Sequence, residues 1–255
     1  MGYRENPVFE PPEDPSQKIW RYMSLGKFLR MVQTSTLHFT VAARLVDDPW
    51  EGMLPTADRQ TWAKELVPMY ESVRHENAVN CWHMSETESA ALWKIYAPLA
   101  EGVAIQSTFH RLRNAFPASL AGALEGGEIM AGVVKYINFD KDSIPTGPGG
   151  TAPNAFVSLI HKRRFYEYER ELRAVLAPGP FLRAAFEQGA LDGWDVPIDL
   201  SGLIESVIVA GDPWFFEAVR AHVQAPLLDR VHPSRFTGAP SRGPRGFLFA
   251  RPPIT

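Results

Sequence analysis

Strand-like and helix-like runs follow one another along this chain without the regular β-α-β alternation that a parallel sheet demands, and this restricts the folds open to it. KIWRYM (18–23), TLHFT (36–40), AVNCWHM (78–84), GVAIQST (102–108), MAGVVKYIN (130–138) and IESVIVAG (204–211) have the β-branched and aromatic content of strands. Leu25, Phe28, Leu29 and Val32 recur at helical spacing over 25–33, behind a capping residue, Ser24. Further helices are expected over 56–76, over ESAALWKIYAPL up to Pro98, around 108–116, over 154–166 and over PWFFEAVRAHV, which carries Pro213 in its first turn. The expected class is therefore α+β.

With 255 residues, 45% of them hydrophobic and 22% charged, the chain can build one sizeable core. Residues 1–16, polar and proline-rich, read as a flexible arm. Residues 17–229 read as one domain interrupted by a Gly/Pro loop at 140–153, and 230–255 as an irregular arginine-rich tail with no acid after Asp229. A net charge of −3 leaves no global footprint for nucleic acid or membrane. The single cysteine, Cys81, excludes an intrachain disulfide and a cysteine-rich zinc site. The N-terminus lacks the apolar core of a signal peptide, and no apolar run is long enough to cross a bilayer, so a cytoplasmic protein is expected.

The chemistry-bearing stretch is HKRRFYEYERELRAVL, residues 161–176. A helical reading pairs Glu169 with Arg173 at i, i+4. A strand over 168–176 instead puts Glu169, Glu171 and Arg173 on one face and Tyr168, Arg170 and Leu172 on the other. Carboxylates in such register repel, so a further cation is needed. Arg21, on the first strand between Trp20 and Tyr22, is a candidate whose planar fork also suits phosphate or carboxylate.

Other clusters have competing readings. Ser85 and Glu88 have the spacing of a capping box, although a strand-to-helix turn there also presents N–H groups to a ligand. Trp93 and Tyr96 share a helix face, as core or as a stacking platform. Cys81 and His83 alternate on one strand but make a poor nucleophile–base pair. Asp47, Asp48 and Glu51 in VDDPWEG suit magnesium in a metal-dependent nuclease or hydrolase, while Asp-Pro and Gly52 are equally turn chemistry, and no metal is assigned. A non-catalytic binding module, using exposed tryptophans such as Trp50 and Trp214, is a third reading.

Taken in order over residues 18–211, WRY, LHFT, DDPWEG, CWHMSE…ALWKIY, GVAI, VVKY, YEREL and SVIVAG resemble the bacterial family catalogued as domain of unknown function 2971. More remotely, the layout resembles the ADP-ribosyltransferase superfamily. That resemblance implies a mixed or antiparallel, split β-core flanked by helices, with NAD as substrate and a role as a toxin or phage-defence or stress effector. It implies Glu169 and Glu171 as catalytic carboxylates and Arg21 as the phosphate grip. Ser85, Tyr22, Trp93, Tyr96 and Arg173 would complete the nucleotide site. The expected partners are a nucleotide and a macromolecular acceptor. The Ser-Thr-Ser signature is replaced by Met84-Ser85-Glu86, and Glu169-Arg170-Glu171 stands for the Glu-x-Glu pair.

Overall fold

Side chains alternate faces along the first strand: Ile19 and Met23 enter the main core, while Trp20 and Tyr22 pack on the opposite side of the sheet. The structure, a computed structural model, describes residues 2–45, 48–61, 66–97, 101–144 and 154–236. In chain order these form β1 (Lys18–Ser24), α1 (Leu25–Thr34), β2 (Thr36–Val41), α2 (Thr56–Thr61), α3 (Leu66–Glu76), β3 (Ala78–Met84) and α4 (Ala90–Tyr96). Next come β4 (Glu101–Thr108), α5 (Phe109–Ala115), β5 (Glu128–Val133), β6 (Lys135–Ile137), α6 (Val157–Ile160) and β7 (His161–Arg163). The series ends with β8 (Glu171–Ala177), α7 (Pro180–Glu187), β9 (Gly193–Pro197), α8 (Leu200–Leu203), β10 (Ser206–Gly211), α9 (Pro213–Ala221) and β11 (Val231–Pro233).

The architecture is a large mixed sheet flanked by helices, as an α+β class requires. Nine strands run β11-β10-β4-β1-β3-β2-β9, with β8 on β3 and β5 on β8, and β6 and β7 form a separate two-stranded sheet. Among the strands of the described residues, β10–β11 and β6–β7 are the parallel pairs, and Tyr3 adds an isolated parallel bridge to Ile129. One face carries the main core, which Phe28 of α1, Leu112 of α5, Phe186 of α7 and Val219 of α9 share with Leu172, Ala174 and Leu176 of β8. The other face is covered in two patches. α4 sits over β1, β4 and β10 through Leu92 and Trp93, and α3 and α6 sit over β3, β5 and β8 through Val73, Leu159 and Ile160.

β3 determines where the site lies. β8 covers one of its edges from Ala78 to His83. Its other edge is shared: β2 pairs at Ala78 and Val79, β1 at His83 and Met84. Between them Asn80, Cys81 and Trp82 have no strand partner on that edge. Two side chains span the opening, Asn80 donating to His38 O (2.8 Å) and Arg21 Nη1 donating to Cys81 O (3.0 Å). Buried backbone carbonyls need partners, so a side chain here replaces a ladder bond.

Several expectations are corrected. The 154–166 helix is a single turn, α6, because His161–Arg163 joins β6 as a parallel strand. Arg164–Glu169 is a 3₁₀ turn ended by Arg170 at φ 41°, so the strand starts at Glu171 and Glu169 lies outside it. The 130–138 strand is divided into β5 and β6. Residues 56–61 and 66–76 are helical as expected, with 62–65 outside the described residues. The arm is tied down: Arg4 N donates to Ile129 O, Val133 N donates to Glu10 O, and Phe9 is buried. At the other end Val231–Pro233 forms a strand, and Glu88 accepts from Arg235 N (3.0 Å), while 237–255 lie outside the described residues. No helix among the described residues is long and apolar enough to cross a membrane.

Candidate active site

Where β1 and β2 part, a cavity of about 460 Å³ opens beside β3. Of the eight residues that the resemblance assigns to the nucleotide site, five line it, Arg21, Tyr22, Tyr96, Glu169 and Glu171; Asp48, Glu51, Cys81 and His83 line it as well. Ser85, Trp93 and Arg173 do not. Ser85 belongs to the turn itself: its Oγ accepts from Thr87 N (3.2 Å), and its carbonyl accepts from the Trp20 indole (2.7 Å). The capping box is not formed, because α4 starts later and Ser89 caps it, accepting from Leu92 N (3.4 Å). Trp93 is core, with its indole donating to Glu88 (3.0 Å).

Beneath the cavity lies a buried charge network. Arg173 is fully buried and donates a fork to Glu171 (Nε–Oε1 2.7 Å, Nη2–Oε2 3.0 Å); its Nη1 donates to Glu51 Oε1 (2.6 Å) and to Leu159 O (2.7 Å). Lys162, also buried, stands among three carboxylates: Glu169 Oε2 at 2.5 Å, Glu171 Oε2 at 3.4 Å and Glu51 Oε2 at 3.5 Å. Tyr96 donates to Glu169 Oε1 (2.9 Å), and Tyr136 Oη accepts from Glu171 N (2.8 Å). Arg173 is thus the brace under the site, and the cation demanded by crowded acids is chiefly Lys162 and Arg173, not Arg21.

Two glutamates two residues apart end in opposite electrostatic states. Burial raises the Glu171 carboxyl, but Arg173 and Lys162 outweigh it and hold the group down to about 2. Glu169 is raised: burial and the nearby Glu171 charge overcome its one cation, Lys162. Lys162 is itself raised against the pull of burial, because it answers to Glu171, Glu51 and Glu169 together. The ammonium is therefore firmly charged but divided, and Glu169 is the least compensated of its partners. Divergent environments of this kind mark acid–base groups.

Arg21 is the other unspent group. Among the described residues its single side-chain hydrogen bond goes to Cys81 O and it makes no salt bridge. Burial lowers its pKa, yet a guanidinium stays protonated, which leaves a charged fork in the cavity wall with most of its donors unassigned. Tyr22, pushed up to about 12 by burial, accepts from Ser89 N (2.8 Å). Cys81 is raised by burial and by Glu171, which makes it inert as a thiolate. His83 is lowered by burial, and its Nδ1 lies 2.6 Å from Glu169 O.

The acidic loop is committed elsewhere. Asp48 accepts a fork from Arg163 (2.6 and 3.1 Å) and caps Trp50 N (3.0 Å), Glu51 is held by Arg173, and Asp47 lies outside the described residues. Among the described residues no group of three His, Cys, Asp or Glu is placed to hold a metal ion. Lys162 and the role of Glu51 as a partner of Arg173 went unread in the sequence. The signal was a strand register that put Glu169 and Glu171 on one face with Arg173 alone to offset them. No family model, curated protein or solved structure matches the chain.

Proposed function

We propose that this chain cleaves the nicotinamide–ribose bond of NAD and passes the ADP-ribose to an acceptor, with the fold an ADP-ribosyltransferase-like split core and the chain a member of the family it resembles. One observation carries the reading: Arg21, with unassigned donors, and Glu169, with a weakly compensated carboxylate, line one cavity at the gap between β1 and β2. The guanidinium suits the pyrophosphate. Cleavage develops positive charge on the ribose, as in glycoside hydrolysis, and a nearby carboxylate stabilises it. Glu169 takes that role, and the same developing charge favours its ionised form. Glu171, locked in its ion pairs, positions Lys162. Tyr96 holds the Glu169 carboxylate in place.

The test is release of labelled nicotinamide from NAD by the full chain. Glu169→Gln should lower release at least a hundredfold, while Arg21→Lys should chiefly raise KM. Wild-type protein that neither binds NAD in calorimetry nor releases nicotinamide overturns the reading. Binding without release would favour a non-catalytic nucleotide module, which the full pairing of Glu51 and Glu171 also suits.

A further inference from the structure

The cavity has a second equipped wall, formed by β2 and β9. His38 and Asp195 are cross-strand partners on these strands, so their side chains share a face. His38 Nδ1 lies 2.7 Å from Asp195 Oδ1, and Arg30 of α1 engages the other oxygen, Oδ2. The carboxylate therefore holds the proton on Nδ1 and leaves Nε2 as the basic nitrogen. Nε2 has no hydrogen-bond partner among the described residues. The ring has room because position 193 is glycine: a Cβ there would stand 2.8 Å from Nε2. His38 lines the cavity, and its side chain is 42% exposed.

Register places this dyad opposite the glutamates. Thr40 pairs with Val79, so His38, two residues away, lies on the face of Val79 and Cys81; Cys81 and His83 in turn pair with Arg173 and Glu171. Where the strands pair, β2 to β8 across β3 is two strand spacings, so the walls stand at least roughly 10 Å apart, with Glu171 two residues further along β8 than the position facing His38. A ribose and an incoming group can stand between two walls at that separation.

We propose that His38 is the general base that activates the acceptor, a hydroxyl-bearing group or water, with Asp195 as its positioning residue. The idea rests on the NAD reading above. As the C1′–N bond breaks, its electron pair leaves with nicotinamide. The acceptor oxygen forms the new C1′–O bond, and its proton passes to His38 Nε2, giving an imidazolium paired with Asp195. The next exchange with water returns the base.

The experiment uses the full chain with NAD and two defined acceptors, water and methanol. Products are separated as ADP-ribose and its methyl glycoside. His38→Gln should slow both products about a hundredfold, the scale of general-base catalysis, with NAD affinity by calorimetry and circular dichroism unchanged. Asp195→Asn should fall between the two, and added imidazole should restore part of the rate to His38→Gly. A folded His38→Gln protein with wild-type rates, or absence of imidazole rescue, overturns the role of His38 while leaving the NAD reading standing. Wild-type protein that releases no nicotinamide overturns both.

Discussion

Replacing Arg173 by methionine should be among the most damaging single changes in the chain. The guanidinium is fully buried and makes four hydrogen bonds: two to Glu171, one to Glu51 and one to Leu159 O. Bonds to charged groups contribute about 1.5–3 kcal/mol each, but the loss is smaller than their sum. Lys162 stays near both carboxylates, and a carboxylate left without a partner can take up a proton. From an ordinary value of 4.5, protonation at about pH 7 costs roughly 3 kcal/mol. The expected loss is therefore about 3–5 kcal/mol, a large share of the roughly 5–15 kcal/mol that holds a domain of this kind. The pH dependence gives the sharper check. In the native chain the Glu171 value is depressed to about 2, so its contribution is fully present above the unfolded value of 4.5 and is lost as pH falls toward 2. In Arg173→Met burial dominates and the value rises. The deficit should then be present at about pH 7 and shrink at about pH 4, where the carboxyl is protonated in both states. Urea titrations followed by tryptophan fluorescence measure it. A variant within about 1 kcal/mol of wild type at pH 7, or a deficit that does not shrink in acid, would refute the assignment of Arg173 as the brace.

Glu169→Gln should leave stability unchanged or improved at neutral pH, because a raised folded value means that the ionised form is disfavoured there; thermal unfolding beside the nicotinamide assay separates the lost activity from the retained fold. For the same reason kcat/KM for NAD should rise with pH through a value above 4.5, and Glu169→Gln should flatten that limb. Ser89→Ala should cost about 1 kcal/mol as a lost helix cap, whereas Ser85→Ala, outside the cavity, should leave the KM for NAD unchanged. Gly52→Ala should destabilise by roughly 1–3 kcal/mol, since residue 52 sits at φ +70° and a Cβ there would lie 2.8 Å from the Arg74 Cβ; urea denaturation reads both stability effects.

The parts of this protein legible in the sequence are those in which local pattern and final partner agree. β3 is read to the residue as 78–84 because its main-core face (Ala78, Trp82) and its opposite face (Val79, Cys81) alternate, and tertiary pairing leaves that period intact. The run after 154 fails for the converse reason. Its helical spacing is real for one turn, but His161–Arg163 is claimed by a ladder to Lys135–Ile137 that no local window contains. Lys162 illustrates the same limit at the site. In the string HKRR it looks like one of several solvated bases, and it becomes a buried hub only when Glu51, 111 positions earlier, Glu169 at the end of the 3₁₀ turn and Glu171 at the start of β8 converge on it. The strand reading of YEREL, with all its acids on one face, was internally consistent, yet it missed the positive φ of Arg170. That one residue changes what the pair can do. On a continuous strand Glu169 would stand in register beside Glu171 and share its neighbours. Set back on the turn, it pairs closely with Lys162 but, unlike Glu171 and Glu51, has no share of Arg173, and it lines the cavity beside Tyr96. Two identical side chains two positions apart thus differ in charge state: Glu171 is held ionised by Arg173 and Lys162, whereas the Glu169 carboxyl is raised. Their difference is set by the backbone between them and by residues more than a hundred positions away in the sequence.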